Sequence, residues 1–487
     1  MKTINLIICS IILSLAAGCG GSSGGGGTTP PPDNNPPPTG GIGRTGIAVG
    51  PISTFGSVVV NGVRYDTTGA TFTINGAPGS QDDLSVGQVI VVNGTIDDNG
   101  VDGSADEVNF DDNVKGPVES IDVAGNQIVV LSQTVLINAE TSFDDSIAPA
   151  SIEGLSVDDI VEVSGLVDAD GRITATRIEP KPAATEFEVL GLVSSLDTDN
   201  FMFNINNLRV DYSSATLDNF PGGQIGEGDL VEAKGTSFGA NDELLATRVE
   251  LKNVLPDAAD GDHLEIQGFI TRFVSAQDFD VTGVPVTTTA NTVYEGGDAT
   301  NLGENIKVEV EGDFNASGVL VATKVDIRRA KAVRATATVD SVNADSLVVL
   351  GITVTVDELT RLEDKSDADV TPLTLASINA GDYIEVRGDE FPAGSGQILA
   401  TILERDDLDT EAILQGFVET VTDPSFEILG VTIQTGPNTI FRDENDVVIS
   451  STDFFNQVTP NSLVKAKGTE VSDTVISADE VEFELEF

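Results

Sequence analysis

A chain of 487 residues, 40 % of them hydrophobic, is long enough for several packed cores and too apolar to be disordered throughout. Its 79 acidic residues against 25 basic ones give a formal charge of −54, a surface that repels phosphate backbones and argues against nucleic acid as a partner. Both cysteines, Cys9 and Cys19, precede the region that can fold, so no disulfide framework serves it; a single histidine, His263, excludes His-rich metal sites.

Met1-Lys2 supplies a minimal positive start, and Leu6 to Leu15 reads LIICSIILSL, an apolar run of ten. A bilayer span needs roughly twenty such residues, so this run suits the hydrophobic region of a secretory signal instead. The following Leu15-Ala16-Ala17-Gly18-Cys19 resembles the lipobox of bacterial lipoproteins, with Ala16 where leucine is commonest. That resemblance implies a signal peptide over 1–18, cleavage before Cys19, and acylation of Cys19, which makes the lipid bilayer a partner. Several acyl chains give a stable anchor where one is marginal. Gly20 in place of aspartate implies, by the same resemblance, the outer membrane of a Gram-negative bacterium. Residues 19–44 then read as a tether, Gly/Ser-rich at first and carrying two Pro triplets later, without the apolar content to fold.

From there the chain repeats itself, a periodicity that outranks any single motif. Six segments end alike: QVIVVNG, DIVEVSG, DLVEAKG, IKVEVEG, DYIEVRG and SLVKAKG, closing on Gly94, Gly165, Gly235, Gly312, Gly388 and Gly468. Apolar residues stand two and four places before each glycine (Val163 and Val161, for example), with Glu162 and Ser164 between. This period-two alternation predicts a strand with one face on a core and the other displaying charge to water. A second recurrent strand follows, ADEVNF, ATRIEP, ATRVEL, ATKVDI, ATILER and ADEVEF. Its apolar residues lie two before the alanine in five copies and three after it in all six, offsets of opposite parity, so the strand must change face through a β-bulge. Each repeat opens with a strand such as GPVESID, runs through a hairpin such as SVVVNGVRYD, where Asn61-Gly62 is a strong turn signal, and adds a short strand such as NTVYE. The expected fold is all-β: six tandem small OB-like β-barrel domains of about five strands each, over 45–110, 113–180, 186–252, 263–328, 332–405 and 411–487.

The opening G-x-[VI], the V-x-V-x-G strand and the A-T-x-[VI]-E strand resemble those of a family of tandem β-domains of unknown function in bacterial secreted proteins and lipoproteins. The resemblance implies the fold and an envelope address, and carries no activity with it.

Candidate sites are few. In DADGRITATRIE, Asp168, Asp170 and Glu179 suggest calcium, but Gly171 comes too early for an EF-hand and Arg172 replaces an oxygen ligand, so a hairpin turn is expected. Weak Ca2+ candidates stand at junctions between repeats: Asp111 and Asp112 with Asn113; Asp257, Asp260 and Asp262; Asp406, Asp407 and Asp409. The basic junction Arg328-Arg329-Lys331 speaks against a general role for them. His263 begins a strand and reads as an incidental surface residue. With no tryptophan and four tyrosines, stacking platforms for sugars are scarce. With so many acids, a glycosidase pair cannot be singled out. No catalytic residue is therefore assigned, and no cofactor beyond that Ca2+. The expectation is a non-enzymatic, membrane-anchored spacer, adhesin or binding scaffold for an envelope protein or glycan. The alternatives are a carboxylate-dependent extracytoplasmic hydrolase and a Ca2+-stiffened array.

Overall fold

The computed structural model describes residues 44–484 except short segments at 55–56, 98–100, 124, 139, 183–185, 254, 256–258, 296, 329–332, 358–359, 369, 371, 393 and 444–446. Cys19 and its tether lie outside the described residues.

The second repeat displays the unit most plainly. Its strands are Val114–Asp122, Gln127–Val130, Gln133–Leu136, Ser142–Phe143, Ile160–Val167 and Ile173–Pro180. The first pairs antiparallel with the second and the second with the third. The third runs parallel to the sixth, the sixth antiparallel to the fifth, and the fifth returns to the first. Five strands thus close in the order 1-2-3-5-4 of an OB-like barrel when the short fourth strand, which lies beside the sixth, is set aside. Closure removes the free edges that a small sheet would otherwise expose. The same pairings recur in all six repeats, with one turn of 3-10 helix before the fifth strand in the first five and the helix Ser451–Gln457 in the last.

The predicted bulge is present six times. Opposite Ser164-Gly165 the sixth strand places Arg177 and Ala175, so Thr176 is the extra residue; the register shifts at the equivalent step in every barrel. The bend lets one strand serve two neighbours: Ile173 and Thr174 pair with the third strand, Arg177 and Ile178 with the fourth. It also explains the glycines. A Cβ on Gly165 would sit 2.4 Å from the Thr174 carbonyl oxygen, and one on Gly468 2.0 Å from that of Ser477. Backbone cannot yield as a side chain would, so only glycine fits there. The bulge threonine closes the motif: the Thr176, Thr247 and Thr323 hydroxyls donate to the carbonyls of Ser164, Lys234 and Glu311.

All twelve inward positions of the fifth strands are buried, Val161, Val231, Val308 and Ile384 completely. The barrels do not stand apart, however. Each first strand is long because its leading half pairs with its own fifth strand on one side and with another barrel's first strand on the other. Barrels 2 and 3 join antiparallel through Val114↔Val189, and barrels 5 and 6 through Ala335↔Leu414. Barrels 1 and 4, far apart in sequence, join in parallel through Gly46↔His263 to Val49↔Ile266. The result is three two-barrel sheets, and in two of the three pairs a single core runs through both barrels.

Candidate functional site

Seven of the twelve outward residues of the fifth strands do not face water as the alternation suggested. Glu162, Ser164, Glu232, Lys234, Glu309, Glu385 and Arg387 are buried. Outward from a barrel here means toward another barrel. A desolvated charge is costly unless paired; Glu232 pairs with Lys234 and Lys252 and Glu385 with Arg334 and Arg387 inside their own barrels, and further pairs cross the seams.

Between barrels 2 and 3, Glu188 accepts from Lys115 and, at 2.7 Å, from Lys234, whose ammonium also donates to the Asn75 carbonyl of barrel 1 at 3.0 Å. Lys252 of barrel 3 binds Asp111 at 2.8 Å. Barrels 2 and 5 meet through guanidiniums. Arg361 donates to the carbonyls of Thr176 and Glu140, Arg177 reaches Glu363 at 3.5 Å and the Val86 carbonyl of barrel 1 at 3.1 Å, and Arg387 donates to the Thr141 carbonyl. Lys307 of barrel 4 pairs with Glu140. Barrels 1, 2, 4 and 5 enclose a cavity of about 30 Å³, lined among others by Asn61, Glu140, Lys307 and Arg361, with room for a water or two.

These seams set the titration of their acids. Burial would raise Glu179 and Glu385, but Arg177 and Lys181 hold the first down to about 2, and Arg387 and Arg334 do the same for the second. Asp112 lacks such relief: burial and then the charge of Glu162 push it well above the carboxylate range. Asp406 is pushed up to about 6, by burial first and by Glu404 and Glu385 next.

The junction aspartates fall into different environments. Asp111 is engaged by Lys252, and Asp112 is buried with both oxygens unpartnered. Asp257 lies outside the described residues, while the Asp262 carboxylate caps the Ala259 amide. Asp407 and Asp409 accept the amides of Asp367 and Thr410, and Asp406 is half-buried. Asp168 takes the amides of Asp170 and Arg172 and the Arg172 guanidinium, as a hairpin turn requires. Two groupings the sequence did not single out do bring acids together: Asp340 with Glu470 and Asp473 between barrels 5 and 6, and His263 with Glu265 and Glu311 in barrel 4. His263 is buried rather than on the surface, because the parallel pairing with barrel 1 covers the start of its strand. Burial pulls its imidazole down, but the hydrogen-bonded carboxylate of Asp313 and the negative charges of Glu265 and Glu311 leave it above its ordinary value.

Asp406 yields a pH prediction. Its folded pKa of about 6 exceeds the ordinary 3.8, so its contribution to stability is whole below about pH 4 and is lost as pH rises through 6. Asp406→Asn is expected to stabilise the chain at pH 7 by about 1–2 kcal/mol, allowing for partial solvent access, and to change nothing at pH 3.5. Denaturant titration at the two pH values measures this. Destabilisation at pH 7 would mean the carboxylate is held by something it needs.

The chain matches the family described as domain of unknown function, DUF5666, six times: at residues 49–108, 115–179, 191–250, 267–326, 336–404 and 415–482. Comparison with curated proteins gave no match. Among solved structures it is similar to the wild-type single-stranded DNA binding protein of Thermus aquaticus, at 10 % identity and a TM-score of 0.16, over 33 % of this chain and 95 % of that one. It is also similar to a deletion mutant of that protein, at 11 % identity and a TM-score of 0.15, over 33 % and 97 %. Likeness this slight carries no inference about this chain.

Proposed function

For a chain that belongs to the DUF5666 family, with six copies of its domain, we propose the role of a lipid-anchored, non-enzymatic envelope protein that presents a rigid, strongly acidic body to a protein or glycan partner. One observation carries the reading: buried or half-buried basic side chains such as Arg177, Lys234, Arg361, Lys365 and Arg387 reach across the seams. These side chains brace barrel against barrel, and the chain as a whole carries a formal charge of −54. Such a body suits presentation, since linked surfaces gain from effective concentration. The signal-like run Leu6 to Leu15 and the Leu-Ala-Ala-Gly-Cys19 sequence support the anchor and the outer-membrane address.

The test is to express the full chain and its Cys19→Ser variant, label with an alkyne fatty acid, and fractionate the envelope. The native chain is expected to incorporate label and sediment with outer membranes, and the variant to do neither. Label-free native chain in the soluble fraction would overturn the anchor.

A further inference from the structure

We propose that His263, Glu265 and Glu311 bind a divalent transition metal, zinc foremost, at the seam of barrels 4 and 1. The three side chains come from neighbouring strands, His263–Ser275 and Lys307–Phe314, and one ligand atom of each lies within 4.8 Å of the others. The Nε2 of His263 stands 3.6 Å from a Glu265 oxygen and 3.7 Å from a Glu311 oxygen, both beyond hydrogen-bond range. Two ligands on a tetrahedral ion at about 2.1 Å are roughly 3.4 Å apart, close to that spacing.

The other ring nitrogen supports this. Nδ1 is 2.9 Å from Asp313 Oδ1, the carboxylate contact that commonly fixes a ligating histidine with its Nε2 lone pair free. Nε2 then faces two carboxylates, a place where either a ring proton or a bound cation supplies the positive charge between them. An independent sign is Glu265 itself: its side chain is 9 % exposed, and its Oε2 is buried with no hydrogen-bond partner. The Tyr65 hydroxyl of barrel 1 is also buried without a hydrogen-bond partner. Glu311, 42 % exposed, leaves an entry path. An imidazole in the set favours zinc over calcium or magnesium, which prefer oxygen alone.

The experiment uses the full chain, equilibrated with Zn2+ under a large excess of Ca2+ and Mg2+ to occupy purely carboxylate sites. Bound zinc is measured after gel filtration, and the one imidazole signal is followed by NMR. The expectation is one zinc per chain and a shift of the imidazole resonance that saturates with it. Glu311→Gln, at a half-exposed position that the fold tolerates, is expected to weaken binding at least about 100-fold, and Asp313→Asn about 10–100-fold. Zinc displaced by calcium, or an imidazole signal that zinc does not move, would mean an adventitious ion only and overturn the proposal. So would unchanged affinity in Glu311→Gln.

Discussion

A Glu188→Ala chain is expected to lose about 3–5 kcal/mol of stability, because Lys115 and Lys234 would keep their charges in a largely buried seam after losing the carboxylate they share. The side chains of Glu188 and Lys234 are only 4 % and 6 % exposed, so the penalty is that of a broken buried network, in which Lys234 is left with the Glu232 carboxylate at 3.2 Å, and not of a lost surface bridge. The diagnostic variant replaces all three groups together: Lys115→Met, Glu188→Leu and Lys234→Met in one chain. With all three of these charges gone and buried Glu232 left to Lys252 at 3.3 Å, the triple variant is expected to recover part of the loss. Chemical denaturation of the three chains at pH 7 measures both effects. A loss below 1 kcal/mol in Glu188→Ala would mean that water enters this seam.

Gly165→Ala is expected to cost at least about 3 kcal/mol, more than overpacking an ordinary core position, since the added carbon would stand 2.4 Å from a carbonyl oxygen of the bulge. Gly69→Ala provides the contrast. That glycine has a positive φ of 91° but nothing within 4 Å, so its cost is backbone strain alone, about 1–2 kcal/mol. Melting temperatures of the two variants beside the native chain separate close approach from conformation. Equal shifts would contradict the explanation given for the six glycines.

The sequence carried the barrel far better than the assembly. Period two at Val161, Val163 and their counterparts identified the inward face, and opposite parity about Ala175 demanded the bulge that the register shift supplies. Alternation tells two faces apart but does not say what the outer one meets. Glu162 and Lys234 therefore read as solvated, although a barrel covers each. The pairing of barrel 1 with barrel 4 was illegible for a related reason: all six first strands look alike, and nothing local to Gly46 or His263 marks them as partners. His263 was misjudged as a surface residue because burial came from a strand 217 positions away in the register Gly46↔His263. A repeated threonine also escaped notice. Thr141, Thr292, Thr360 and Thr439 each donate to the carbonyl of the bulge alanine in their own barrel, a recurrence visible once NTVYE and NTIFR are set beside the bulge.

Charge buried between barrels fuses six copies of one fold into a single body. Small-angle X-ray scattering on residues 42–487 tests it most directly. A compact chain of that length is expected to give a radius of gyration of about 22–26 Å. Six independent barrels strung in line would exceed about 40 Å, and a value there would contradict the account.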